Sequence, residues 1–384
     1  MRRGPAPDPA SRATRALIHL DHLKENIALV KEKTGVRVCA PVKANAYGHG
    51  ALAVAKTALA AGAAYLAVAT VEEGEELRGG GITAPIILLS IPLPEEIDRL
   101  IALDLEPLAG DEEYLAALEG AAAKAGKRAA VHLKIDTGMG RIGCRPGGAV
   151  SLAARIAKSP SLTLAGTATH LAASDSPAVE DRAFTGRQLE LFSAAVEAVK
   201  AAGIDPGLVH AANTGAVAFY REAWFDMVRP GILLYGYAPA DGEGKPAMAV
   251  KPLMELSSAL VFIKELKKGE TVSYGRTWTA AEDTLIGTLP LGYADGLSRR
   301  LSNNWTALIE PAGDAPVPRP LVGRICMDQC MVDLGRDSRA RRWDRVAIFG
   351  GPAPHAGVMA ARLNTIPYEV TCGISGRVPR IYME

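Results

Sequence analysis

Lys43 stands where a short apolar run, residues 36–42, gives way to the small and glycine-bearing segment Ala44-Asn45-Ala46-Tyr47-Gly48-His49-Gly50. A lysine at the junction of strand and loop is held at the rim of a pocket rather than scattered over the surface. No acidic residue is near it in sequence, and its neighbours are small or apolar. Such surroundings disfavour the ammonium and leave a nucleophilic amine. Other residues able to do chemistry recur in the same kind of place. Lys134 with Asp136, His170, Asn213 and Arg229 each stand at or just beyond the end of a different apolar run.

The runs that position them are 36–42, 65–70, 85–90, 106–109, 130–136, 162–170, 208–213 and 226–235. Helix-patterned stretches such as 72–78, 112–124 and 184–202 lie between them. The run at 106–109 is short and is included because the rhythm requires it. Strands alternating with helices pair in parallel through right-handed crossovers. Eight such units over roughly 200–250 residues make a (β/α)8 barrel. A doubly wound open sheet would gather its chemistry at one switch point, whereas these residues end many different strands, as at a barrel mouth. Ahead of the rhythm, residues 16–20 read as a strand. Asp21 reads as the N-cap of a helix running to Lys33 and stopped by Gly35.

The rhythm breaks in a Gly/Pro-rich linker at 238–252. Short strands with close turns follow, at 258–263, 284–289, 307–309, 331–334, 345–349 and 368–372. The expected fold class is therefore α/β: an N-terminal (β/α)8 TIM-like barrel over 16–240, then a C-terminal mainly-β domain over 250–384. The first fifteen residues, basic and proline-rich, read as disordered and lack the apolar core of a signal peptide.

Composition narrows the function. At 384 residues the chain suits about two domains of ~150 residues. A net charge of +1, with no long lysine/arginine run, argues against nucleic acid as a partner. No apolar run approaches the ~20 residues of a membrane helix. The five cysteines are odd in number and scattered, with no Cys-x-x-Cys pair. That fits a soluble protein of a reducing compartment, the cytoplasm.

Several motifs fail on inspection. Gly138-Met139-Gly140-Arg141-Ile142-Gly143 has the spacing of a dinucleotide fingerprint. It is followed by Cys144-Arg145-Pro146 instead of a helix, and no acid occurs between Asp136 and Asp175. The Gly-Lys pairs at Lys127 and Lys245 continue into Arg128 and Pro246, so neither is a P-loop. No His-Glu dipeptide supports a zinc helix, and no metal is expected. What stands is a pair of turns after the seventh and eighth runs, Asn213-Thr214-Gly215 and Arg229-Pro230-Gly231-Ile232. Loops in those places often hold phosphate. Amides of Gly215, Gly231 and Ile232 with the Thr214 hydroxyl suit a dianion. A phosphate site, a reactive lysine at the first strand and an arginine in the same mouth point to a phosphorylated aldehyde bound as an imine, pyridoxal 5'-phosphate.

On these residues the sequence resembles the alanine racemase family, of the barrel-type (fold type III) pyridoxal-phosphate enzymes, over nearly all the chain after about residue 15. The resemblance implies that Lys43, in PVKANAYGHG, is the cofactor lysine and that Tyr47 is near the phosphate. Lys134, in HLKIDTGMGRIG, is similar to a lysine often found carbamylated, whose negative charge would orient Arg141. Arg141 would hold the substrate carboxylate and the cofactor's phenolic oxygen. His170, in THLAASD, would pack on the pyridine ring and contact Arg229. Asn213, Thr214, Gly231, Ile232 and Tyr368 would take the phosphate. In the second domain VSYGRTW resembles the segment carrying the other catalytic base, Tyr274. Met327 and Asp328, in RICMDQ, would meet the substrate from the partner of a homodimer whose sites are shared. The family commonly has serine where Thr214 stands, and the hydroxyl is kept.

The implied chemistry is two-base racemisation, with Lys43 serving one face of the carbon acid and Tyr274 the other. A free tyrosine has a pKa of about 10, so the base role requires a lowered pKa or assistance. An arginine beside the pyridine nitrogen leaves the ring unprotonated and restrains side reactions, whereas an acid there would favour decarboxylation. Expected, then, is interconversion of L- and D-alanine, supplying D-alanine for peptidoglycan. The alternatives are a racemase of broader small-amino-acid range, serine included; a decarboxylase of the same fold; and a non-catalytic cofactor-binding barrel, which would lack the second domain.

Overall fold

The computed structural model describes residues 12–240 and 243–384. Most of the stretch read as a disordered N-terminus, and positions 241 and 242 of the expected linker, lie outside these residues. The chain divides into two compact units. Among the described residues, one comprises 12–21, Tyr47–Gly50 and Pro252–Glu384; the other comprises His22–Ala46, 51–240 and 243–251.

Within the second of these, eight parallel strands run in the order β8-β7-β6-β5-β4-β3-β2-β9. They are β2 (Arg37–Pro41), β3 (Tyr65–Val68), β4 (Ile86–Leu88), β5 (Leu105–Ala109), β6 (Ala129–Lys134), β7 (Leu162–Ala168), β8 (Leu208–His210) and β9 (Met227–Val228). Each of the eight runs read from the sequence overlaps one of these strands, β5 and β6 starting one residue earlier than read. β2 and β9 are paired. Asp226 bridges the remaining gap: its amide donates to the Val209 carbonyl at 3.0 Å, and its carboxylate accepts the Val209 amide at 2.8 Å. The barrel is thus nearly closed. Its strands read as continuous apolar runs because helices cover one face and the packed interior the other. Cys39, Ala67, Ile87, Leu108, Ala168 and Met227 form one interior cluster.

The helices α1 (Leu20–Thr34), α2 (Lys43–Tyr47), α3 (Ala51–Ala60), α4 (Val71–Gly79), α5 (Ile97–Ala102), α6 (Glu112–Lys124), α7 (Ala149–Lys158), α8 (Val179–Ala201) and α9 (Thr214–Phe219) lie around and between the strands in sequence. Their starts are written locally. Thr70 and Glu73 form a capping box on α4, and Asp111 caps α6 by accepting from the Tyr114 amide at 2.8 Å. α1 begins one residue before Asp21, which falls inside its first turn instead of capping it.

In the other unit a nine-stranded sheet runs β11-β14-β17-β16-β15-β18-β10-β1-β19. Its strands are β1 (Arg15–His19), β10 (Met254–Ala259), β11 (Phe262–Leu266), β14 (Thr284–Leu289), β15 (Thr306–Glu310), β16 (Val317–Val322), β17 (Cys330–Asp333), β18 (Arg345–Phe349) and β19 (Arg380–Met383). A two-stranded ribbon joins β12 (Thr271–Val272) to β13 (Trp278–Thr279). Leu266, Val272, Ala280, Ile286 and Val322 pack its core.

Four expectations are corrected. The strand at 16–20 does not open the barrel; β1 pairs with β10 and β19. Its alternating burial is that of a strand with one solvated face, unlike the largely enclosed β2. Residues 12–14 are not disordered: Arg12 reaches Asp295 at 2.6 Å, and buried Thr14 bonds Ser258 at 2.8 Å. The strand expected at 258–263 is two, because the Leu260 amide turns to the Asp344 carbonyl and that of Val261 to Thr288. Residues 368–372 belong to a helix, α11 (Pro367–Cys372), which follows α10 (Ala356–Leu363). Pro367 at the first helical position presets φ and lacks an amide that a helix start would leave unbonded. Among the described residues no helix is long and apolar enough to cross a membrane.

Candidate active site

Lys43 is half-buried directly after β2. The turn it starts is left-handed, with φ of 52° at Ala44 and 53° at Asn45, Ala46 and Tyr47. Outside glycine that conformation costs about 1–2 kcal/mol per residue, so the surroundings must hold it. Glu73 accepts the Ala44 amide on Oε1 at 2.6 Å and the Ala69 amide on Oε2 at 2.7 Å, tying the loop after β2 to the loop after β3. Asn45, a residue that tolerates this conformation, accepts the Ala51 amide at 2.8 Å. Nothing in the sequence pattern announced this strained support.

Lys134 ends β6 and is buried, its Nζ donating to the Ile135 carbonyl at 3.3 Å. Burial, then the charge of Arg229, pushes its pKa down to about 7; Asp136 opposes the shift and Arg141 adds to it. Asp136 accepts the amides of Gly138 and Gly140, each at 3.0 Å, and folds the glycine-rich loop back on itself. Gly138 (φ 139°) and Gly140 (φ 69°) are therefore turn residues, which accounts for the fingerprint-like spacing. Arg141 is exposed on that loop.

Arg229, just past β9, is only 7% exposed. Its Nη1 is 2.5 Å from His210 Nδ1; its Nη2 donates to the carbonyls of Thr169 at 2.8 Å and Ala211 at 3.2 Å and is 3.4 Å from His170 Nδ1. Asp226 is engaged with Val209, and among the described residues Arg229 has no carboxylate partner. Burial lowers its pKa to about 10, so it stays charged at neutral pH. Burial, followed by the charges of Arg229, Lys134, Arg141 and Lys43, holds His170 well below its ordinary pKa, hence neutral.

Asn213 caps α9. Its Oδ1 accepts from the Ala216 amide at 3.2 Å and the Ser174 hydroxyl at 2.6 Å, while Nδ2 donates to the Leu171 carbonyl at 2.9 Å. Its side chain therefore aims the turn that follows. The amides of Thr214, Gly215, Gly231 and Ile232 have no protein acceptor among the described residues. Three of these four residues are buried. Buried amides are almost always bonded, so a cluster without acceptors is a ready anion cradle. A Cβ at Gly215 would lie 2.6 Å from the Asp175 amide nitrogen, so only glycine leaves the cradle its shape. An amine, a donor-only guanidinium and this cradle on one barrel fit a ligand with an aldehyde, a ring acceptor and a phosphate. Thr214 Oγ1 accepts the Leu233 amide at 3.4 Å, joining the two turns.

The other unit carries the remaining candidates. Tyr47 and Tyr368 are adjacent, ring centroids 5.7 Å apart. Gly48 follows with φ +85°, its Cβ position 2.1 Å from the Thr371 carbonyl oxygen. Tyr274 opens a tight turn after Ser273 (φ 66°), whose hydroxyl donates to the Arg324 carbonyl at 2.6 Å. Tyr274 is 71% exposed and Met327 53%. The Asp328 carboxylate accepts from Arg377 Nη2 at 2.8 Å.

Sequence reasoning passed over Glu106, His132 and His210, a partly buried carboxylate and two buried imidazoles in a line leading to Arg229. Alternation along β6 puts His132 on the same face as Lys134, the one signal that was available.

Two family models match the chain: alanine racemase, N-terminal domain, over residues 18–239, and alanine racemase, C-terminal domain, over 253–382. Among relatives, the alanine racemase of Treponema denticola is 49% identical over 97% of this chain and 99% of its own length. That of Cutibacterium acnes is 41% identical over 100% of both. Among solved structures, the alanine racemase of Clostridium difficile 630 has a TM-score of 0.90 at 36% identity, covering 97% of this chain and 96% of that one. The Bacillus anthracis alanine racemase with bound L-Ala-P has a TM-score of 0.88 at 32% identity, covering 99% and 96%. Fold, site and matches together define the racemase class of isomerases, a parallel barrel continued by a β-rich unit. The chain belongs to the alanine racemase family.

Proposed function

We propose that this chain interconverts L- and D-alanine with pyridoxal 5'-phosphate as cofactor, supplying D-alanine for peptidoglycan. The observation that carries the reading is Arg229: buried, charged and bonded to carbonyls and imidazoles, with no carboxylate partner among the described residues. A guanidinium is a donor only and does not release its proton near neutrality. Beside a pyridine nitrogen it would donate a hydrogen bond and leave that nitrogen unprotonated, the condition that suits racemisation over decarboxylation.

Lys43 would carry the cofactor through its amine. The amides of Thr214, Gly215, Gly231 and Ile232, with the hydroxyls of Thr214, Tyr47 and Tyr368, would hold its phosphate, and His170 would pack on its ring. When bound, the cofactor supplies a conjugated ring that spreads the electron pair left on the substrate α-carbon. Arg141 would bind the substrate carboxylate and hold the substrate in one orientation. Lys43 Nζ takes or returns the α-proton on one face, and Tyr274 Oη does so on the other. One proton leaves and one arrives, with no rotation of the substrate. The buried amine of Lys134, its pKa lowered to about 7 by burial, would be open to carbamylation, and the carbamate would orient Arg141.

A phenol as exposed as Tyr274 is poorly placed to act as a base on a carbon acid in water. We infer that a second copy of the chain covers it, that Met327 and Asp328 meet the substrate across that interface, and that the working enzyme is a cytoplasmic homodimer with shared sites. The test is chiral analysis of L-alanine incubated with purified enzyme, extended to mixed dimers of Lys43→Ala and Tyr274→Phe chains. Racemisation to equal L and D, with activity regained in mixed dimers, supports the reading. Loss of carbon dioxide instead, or no regain on mixing, overturns it.

A further inference from the structure

We infer that Glu106, His132 and His210 form a positioning relay that fixes the direction of Arg229's hydrogen bonds and balances its charge from the far end of the barrel. The inference rests on the role proposed for Arg229. Glu106 Oε2 lies 2.8 Å from His132 Nε2, His132 Nδ1 lies 3.0 Å from His210 Nε2, and His210 Nδ1 lies 2.5 Å from Arg229 Nη1. Both imidazoles are fully buried.

The two ends of this line permit one arrangement of protons. Arg229 can only donate, so His210 Nδ1 must accept. A neutral His210 then carries its hydrogen on Nε2 and donates to His132 Nδ1. His132 in turn carries its hydrogen on Nε2 and donates to Glu106, an ionised carboxylate that can only accept. Burial, then the Arg229 charge, holds His210 well below its ordinary pKa, in keeping with a neutral ring. The result is one positive and one negative charge joined through two neutral rings. Glu106 is the second residue of β5, whereas Arg229 lies past the C-terminal end of β9. The line therefore runs along the barrel from its N-terminal side to its mouth.

The barrel is built to allow it. His132 on β6 and His210 at the end of β8 are separated by β7. The residue of β7 between them is Gly166, where a Cβ would come within 2.3 Å of His132 Nδ1. A shift of register between Val131 and His132 skips one residue of β7 and brings His132 opposite Gly166. The edge of His132 is packed by Tyr65, centroids 6.5 Å apart at 90°. Barrel interiors are ordinarily layers of apolar side chains, so a polar line through one must be fully satisfied, and this one is.

Removing the carboxylate releases one end. The glutamine of Glu106→Gln can turn its amide to donate to His132 Nε2. His132 can then carry its hydrogen on Nδ1 and His210 on its own Nδ1, confronting Arg229 donor to donor. The test uses the cofactor-loaded enzyme with 15N-labelled histidine, tautomers read from proton–nitrogen correlations, beside racemisation kinetics. Expected in the parent enzyme are Nε2–H tautomers at both His132 and His210. Expected in Glu106→Gln are mixed tautomers and a kcat lowered about tenfold in both directions, KM little changed, as a charge-assisted bond becomes a neutral one. A further His210→Phe change should abolish most of the added effect of Glu106→Gln, since the two act through one line. Nδ1–H at either histidine of the parent overturns the relay, even should every variant fail to fold. So do unchanged tautomers in Glu106→Gln, or losses that simply multiply in the double variant. Failure of the cofactor to attach to Lys43 would sink the functional reading instead, and is scored separately.

Discussion

The amine of Lys134 offers a prediction whose size follows from its burial. Its pKa is pushed from 10.5 to about 7, so near neutrality about half of these side chains are uncharged. The shift of 10.5 − 7 = 3.5 favours the free amine about three thousandfold over an ordinary lysine. A free amine attacks dissolved carbon dioxide: a nitrogen–carbon bond forms, one N–H proton leaves to water, and a carbamate anion remains. The charges around it then change from opponents to partners, because Arg229 and Arg141 both disfavour the ammonium. The assay is carbon NMR of the enzyme under a fixed pressure of 13C-labelled carbon dioxide, titrated across neutrality. One resonance absent from Lys134→Met is expected, growing as pH rises through about 7, with the KM for alanine falling in parallel as Arg141 is drawn into place. Stability should follow the same proton. The unfolded chain takes it up below about pH 10.5 and the folded chain only near 7, so the unmodified lysine costs stability progressively as pH falls between those values and no more below. A missing resonance, or one that appears only where surface lysines also react, would refute the argument.

Other outcomes follow from single residues. Lys43→Ala should abolish racemisation, whereas Tyr274→Phe should slow it mainly from the L side; equal loss in both directions at position 274 contradicts the two-face scheme. Gly215→Ala places a methyl against the Ser174–Asp175 backbone and should weaken cofactor affinity at least about tenfold by fluorescence titration; unchanged affinity removes the cradle from the account. Buried Glu255 pairs with Arg345, which also holds Glu310, so Glu255→Gln should destabilise the β unit by about 2 kcal/mol in urea denaturation. No shift in that transition would mean the pair is dispensable.

Much of this was legible in the chain. Lys43, Lys134, His170, Asn213 and Arg229 announce themselves because chemistry at a barrel mouth falls at strand ends, where the pattern breaks. The run at 106–109 was faint because Glu106 puts a charge at its start, the same charge that ends the line to Arg229. His132 and His210 sit in apolar runs with no spacing of their own to mark them; only the register shift opposite Gly166 brings them together. The left-handed turn after Lys43 was invisible because Ala44 and Ala46 carry no propensity for it, and Glu73 holds it from another loop. At 368–372 β-favouring residues suggested a strand, but Pro367 begins a helix.

The central claim is that the amine at the end of β2 carries the cofactor. Borohydride reduction of the freshly purified enzyme, followed by peptide mapping, tests it most directly. The account requires a yellow protein whose reduced cofactor is bonded to Lys43 alone; a label on Lys134 or any other lysine, or no label at all, would contradict it.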